Sequence, residues 1–94
     1  MIANLIEKKW LWRTFHVVTD EGVFEVVYNG KGMGFEEVLV EGVIARRTIS
    51  WVWYVPEFEF VIGNVKSKIK VKVSPFLQIS SFDLSINEKL VYSE

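Results

Sequence analysis

Cysteine is absent from the chain, which excludes disulfides, thiolate metal ligands and thiol nucleophiles. Histidine occurs once, as His16, so any acid–base chemistry would rest on a single imidazole that needs a partner within hydrogen-bond reach. We read His16 as an ordinary strand side chain and nominate no catalytic residue, no metal ligand and no cofactor. No apolar run approaches the ~20 residues of a membrane helix. The segment Met1 to Lys9 lacks the basic lead and the apolar length of a signal peptide, so the expectation is a cytoplasmic protein without membrane contact. A dominant charge is lacking as well: the formal net charge is −1 with both signs interleaved, so no global field draws in nucleic acid.

Hydrophobic and aromatic residues are abundant. Of 94 residues, 50% are hydrophobic and 15% aromatic, enough for one core without covalent staples. β-Branched and aromatic residues recur at every second position and are broken by glycine, asparagine and proline, which is strand periodicity. The predicted strands run from Trp10 to Val18, Val23 to Tyr28, Phe35 to Val40 and Val43 to Ser50, then Glu57 to Ile62, Ser67 to Val73, Leu77 to Ile86 and Leu90 to Tyr92. Trp51 to Val55 either continues the fourth strand or follows a bulge, and Pro56 marks a boundary or an edge. Asn29 to Gly32 is expected to close a hairpin and Glu41-Gly42 a tight turn.

About eight short antiparallel strands with such turn spacing predict an all-β domain, a two-sheet sandwich or a small barrel. It spans residues 10–94, with residues 1–9 as an N-terminal extension that fits a strand, one helical turn or a loose end. Alternation points Phe24, Val26 and Tyr28 inward, together with Phe58, Phe60, Ile62, Ile69, Val71, Val73, Phe82, Leu84 and Ile86.

Several constellations carry potential chemistry. Glu36, Glu37 and Glu41, and separately Glu57 and Glu59, could pair as catalytic carboxylates only inside a cleft of fixed width; the solvent side of a sheet is the plainer reading. Gly30-Lys31-Gly32-Met33-Gly34 leads into a strand, whereas a phosphate loop must lead into a helix, so it reads as a hairpin loop. Lys66, Lys68, Lys70 and Lys72 fall on one side of a strand. That row protects an edge strand from aggregation, the stronger reading, or binds an anionic partner such as single-stranded nucleic acid. Glu57 and Glu59 are positioned to neutralise it across strands.

Two tryptophan pairs, Trp10 with Trp12 and Trp51 with Trp53, the latter beside Tyr54, either line the inner faces or form flat platforms for a protein or a sugar. Ile49 to Val55 is apolar on both faces, as a covered central strand or a partner-facing strand would be.

Four stretches carry a family resemblance: Gly22 to Tyr28, Glu36 to Gly42 with its acidic-glycine turn, Phe58 to Gly63, and Phe82 to Asn87. In order and character they resemble a domain of the Fas apoptotic inhibitory molecule family. Asn87-Glu88-Lys89 departs from that family's acidic-glycine-lysine turn, and the animal proteins carry two such domains where this chain has space for one. The resemblance implies an intracellular, non-enzymatic β-sandwich that works through protein contacts.

The expected function is therefore a non-enzymatic protein-interaction module, binding a protein partner or a second copy through Trp51, Trp53 and Tyr54 or an exposed edge. The alternative is a carbohydrate- or single-stranded nucleic-acid-binding β-barrel, with Lys66, Lys68, Lys70 and Lys72 on the nucleic-acid path.

Overall fold

The computed structural model describes residues 1–32, 35–49, 57–74 and 78–94. Period-two alternation is realised most cleanly in Glu57–Ile62, where Phe58, Phe60 and Ile62 are buried and Glu57, Glu59 and Val61 are exposed. Nine strands form among the described residues: β1 (Ile2–Lys9), β2 (Trp12–Thr19), β3 (Gly22–Gly32), β4 (Phe35–Val40), β5 (Val43–Ile49), β6 (Glu57–Ile62), β7 (Val65–Val73), β8 (Ile79–Ile86) and β9 (Lys89–Ser93). They make a five-stranded sheet in the order β1-β2-β3-β4-β5 and a four-stranded sheet in the order β6-β7-β8-β9. Every neighbouring pair is antiparallel and consecutive in the chain. The fold is an all-β two-sheet sandwich, not a closed barrel.

Turn chemistry sets one end of the sandwich. Glu41 and Gly42 have φ of 53° and 78°, and Asn87 and Glu88 have 51° and 65°, the left-handed pairs that match a two-residue hairpin to strand twist. Gly63, at φ 61°, opens the turn between β6 and β7. A Cβ there would lie 2.7 Å from Glu21 Oε2, so this glycine also admits a contact from the other sheet's β2–β3 turn. Glu21 Oε1 in turn accepts a hydrogen bond from the Asn64 amide at 3.3 Å.

The inner faces meet in one core. Phe15, Val17, Val26, Tyr28 and Val38 come from the first sheet; Phe58, Phe60, Ile62, Ile69, Val71, Val73, Phe82, Leu84 and Ile86 come from the second. Phe82 stands at the centre, with ring centroids 5.7 Å from Phe15 and 5.2 Å from Tyr28, distances at which aromatic pairs attract beyond simple burial. All the inward positions read from alternation are buried except Phe24, which is partly buried against the same cluster.

Of the three readings of residues 1–9 the strand is the one that forms, and other expectations need correction. Residues 2–9 form β1, paired to β2 from Ile2↔Val18 to Lys9↔Trp12 with Ile6 as the extra residue of a bulge. The first predicted strand therefore begins at Trp12, because Trp10 and Leu11 are taken up by the turn. Trp10 and Trp12 do not share a face: Trp10 is 64% exposed in that turn, while Trp12 is half-buried on β2. The predicted hairpin at Asn29 to Gly32 does not turn there. Asn29↔Glu37 and Gly30↔Glu36 continue the ladder, and Gly30 lacks a Cβ where Leu11 packs close, its amide donating to the Leu11 carbonyl at 2.8 Å.

Candidate functional site

The lysine row lies on β7, which is hydrogen-bonded to β6 on one side and β8 on the other, so it does not protect a sheet edge. Ser67, Ile69, Val71 and Val73 point into the core, which turns Lys66, Lys68, Lys70 and Lys72 to the outer face of the four-stranded sheet. Cross-strand register then places acids among them: Glu59 opposite Lys68, and Lys70 between Glu57 and Asp83. Lys68 Nζ is 3.0 Å from Glu57 Oε1. That hydrogen bond and its charge hold the Glu57 carboxyl below its ordinary value and raise the Lys68 ammonium, with Glu59 and Glu88 adding to the latter. A shallow open trough of about 410 Å³ passes over Glu59, Lys66, Lys68, Lys70, Ser85 and Glu88. Four lysines thus face four carboxylates (Glu57, Glu59, Asp83, Glu88), and a polyanion gains little from such a surface.

Glu36 is not on the solvent side of the sheet, and Glu37, though on the outer face, is covered there. Glu36 is 1% exposed and sits between two hydroxyls: Tyr28 donates to Oε1 at 2.7 Å and Thr48 donates to Oε2 at 3.1 Å. Both oxygens of this buried side chain are hydrogen-bonded, which makes the group a structural centre of the β3–β4–β5 ladder. Glu37, on the opposite face of β4, is also buried and accepts from Arg47 Nη2 at 3.3 Å.

The two outer faces differ in character. On the five-stranded sheet, Ile2, Val18 and Val23 form one cross-strand row. They are 59%, 39% and 60% exposed. The next row along the strands is polar, with Asn4, His16 and Glu25, and with Glu41 beside Glu25. Beyond it run Thr14, Val27, Leu39 and Ile44, and then Lys9, Trp12, Asn29, Glu37 and Arg47. Trp12 is fixed by its Nε1–H donating to Thr14 Oγ1 at 2.9 Å, with Lys9 Nζ 5.9 Å from the ring centroid.

No protein-family model matches the chain, and no curated protein or solved structure is significantly similar to it.

Trp51, Trp53 and Tyr54 lie outside the described residues. His16 is exposed between Asn4 and Glu25 and forms no ion pair among the described residues. Among those residues no group of three or more histidine, aspartate or glutamate side chains is placed to hold a metal ion, and no helix is long and apolar enough to cross a membrane. Sequence reasoning missed the Ile2–Val18–Val23 row. The available signal was that Val17-Val18 and Val26-Val27 put apolar residues on both faces of β2 and β3, the pattern already noted for Ile49 to Val55.

Proposed function

We propose that this chain is a non-enzymatic protein-interaction module that engages its partner through the outer face of the five-stranded sheet. What supports the reading is the contrast between the two outer faces. Among the described residues, one carries exposed Ile2, Val18, Val23, Phe35 and Ile44, whereas the other carries a balanced lattice of lysine and carboxylate with Val61 and Leu90 as its exposed large apolar residues. Apolar side chains grouped on one face of a small domain are the usual mark of a contact surface. The resemblance to Fas apoptotic inhibitory molecule domains points the same way, toward work through protein contacts.

The test is capture of partners by the tagged chain from lysate of its own source, with nuclease and at two salt concentrations. It is repeated with Val18→Ser and Val23→Ser combined, since both side chains are exposed enough for the sandwich to tolerate the change. A protein retained by the parent chain and lost by the variant is the expected outcome. Bound material that disappears on nuclease treatment would move the assignment to single-stranded nucleic acid and the lysine row.

A further inference from the structure

We propose that the occupant of this face is a basic amphipathic helix of a partner protein; this rests on the interaction-module reading and gives that reading a partner chemistry. The dimensions come first. Adjacent strands are ~4.8 Å apart, so Ile2, Val18 and Val23 on β1, β2 and β3 span ~10 Å, about the width of a helix with its side chains. Along β2 and β3 the row of Thr14 and Val27 lies four residues from Val18 and Val23, or ~13 Å at ~3.3 Å per residue. A helix covers ~12 Å between residues i and i+8, so a stripe of apolar side chains at helical spacing meets both rows. An added strand fits less well, because the Ile6 bulge interrupts the free edge of β1 and Lys8 beyond it is tied to Glu94 at 3.1 Å.

Charge then selects the helix. Between the Ile2–Val18–Val23 row and the Thr14–Val27–Leu39–Ile44 row stand Glu25 and Glu41, beside Asn4 and His16, and Glu41 Oε1 accepts from the Glu25 amide at 3.1 Å, which holds that side chain against β3. Neither carboxylate forms an ion pair with a lysine or arginine among the described residues, although further along the same face Glu7 pairs with Lys9 at 3.6 Å and Glu37 with Arg47 at 3.3 Å. From Thr14 to Gly30 and from Phe35 to Ala45 the sequence contains no lysine or arginine. An apolar stripe flanked by lysine or arginine therefore gains at Glu25 and Glu41, while an acidic helix of the same shape is repelled.

The experiment titrates the isotope-labelled chain with two synthetic amphipathic helices of equal length, one of leucine and lysine and one of leucine and glutamate, and follows backbone amide shifts by NMR. The expected result is shifts at Val18, Val23, Glu25, Val27 and Leu39 with the lysine peptide only. Affinity should fall about tenfold in Glu25→Lys and in Val23→Ser, and fall again as salt rises. Equal binding of both peptides, shifts confined to the Lys66–Lys72 face, or no shift at all would overturn the proposal. So would the same amides shifting with protein concentration alone, which would assign the face to a second copy. If the peptides fail while a lysate protein still co-purifies and is lost with Val18→Ser and Val23→Ser combined, helix docking falls and the module reading of this face stands; a protein that resists the double change removes this face from both. If no protein co-purifies either, both fall.

Discussion

Arg13 grips Glu94 with both arms of its guanidinium, Nε to Oε2 at 2.6 Å and Nη2 to Oε1 at 2.9 Å, and so ties β2 of one sheet to the residue that follows β9 of the other. The remaining donor direction is used as well, because Nη1 donates to the Lys9 and Trp12 carbonyls at 2.6 and 2.7 Å. Arg13 is 3% exposed, so its charge is removed from water and depends on this partner. Lys8 at 3.1 Å and the Tyr92 hydroxyl at 2.8 Å complete the carboxylate's surroundings.

The pH dependence of the clasp follows from its titration. The Arg13 bond is the main cause that lowers the Glu94 carboxyl, to about 2 against an ordinary 4.5, with Tyr92 and Lys8 assisting against the opposing effect of burial. Burial, and then the bond to Glu94, push the Tyr92 hydroxyl up to about 12. A carboxyl whose folded value is depressed contributes stability that is fully present above its unfolded value and lost as pH falls through the folded one. Unfolding followed by circular dichroism should therefore show a loss of about 1–2 kcal/mol, after solvent screening, as pH drops from 4.5 toward 2. Glu94→Gln should flatten that part of the profile and lower stability at neutral pH by about 2 kcal/mol, because it leaves Arg13 buried without its counter-charge.

The carboxylate of Glu36 holds three strands through Tyr28 on β3 and Thr48 on β5. Tyr28→Phe keeps the ring against Phe58 and Phe82 and removes only the hydroxyl, so it should destabilise the chain by about 1–3 kcal/mol in urea titration. Glu36→Ala should cost more, since it adds a cavity to the loss of both bonds.

Gly63→Ala should lower the melting temperature, by an amount corresponding to about 1–2 kcal/mol. The new Cβ would meet Glu21 Oε2 at 2.7 Å and Phe24 Cζ at 3.1 Å, on a backbone whose φ of 61° already disfavours any Cβ.

Glu88→Gly should act in the opposite direction. Glu88 holds φ at 65° as the second residue of the β8–β9 turn, the place where glycine follows asparagine in favoured hairpins. Relief of that strain, less the extra freedom glycine gives the unfolded chain, should raise stability by about 0.5 kcal/mol in a thermal melt.

The inward positions were legible from alternation because a strand's side chains change face at every residue, and Phe58 to Ile62 or Ile69 to Val73 need no further information. The same alternation turned the lysines outward but could not say whether β7 was an edge. That depends on which strands pair, and backbone hydrogen-bonding groups are the same at every residue other than proline. Glu36 looked like its neighbours on the sheet surface until Tyr28 and Thr48 met it from adjacent strands.

The all-β class, most strand limits and the apolar inner faces follow from local period and turn residues alone. Sheet packing brought Arg13 to Glu94 across 81 positions, added Asp83 and Glu88 to the acids around the lysines, and lined up Ile2, Val18 and Val23 on one outer face. Those relations are set by register and sheet packing, which bring together residues whose separation along the chain carries no periodic signal.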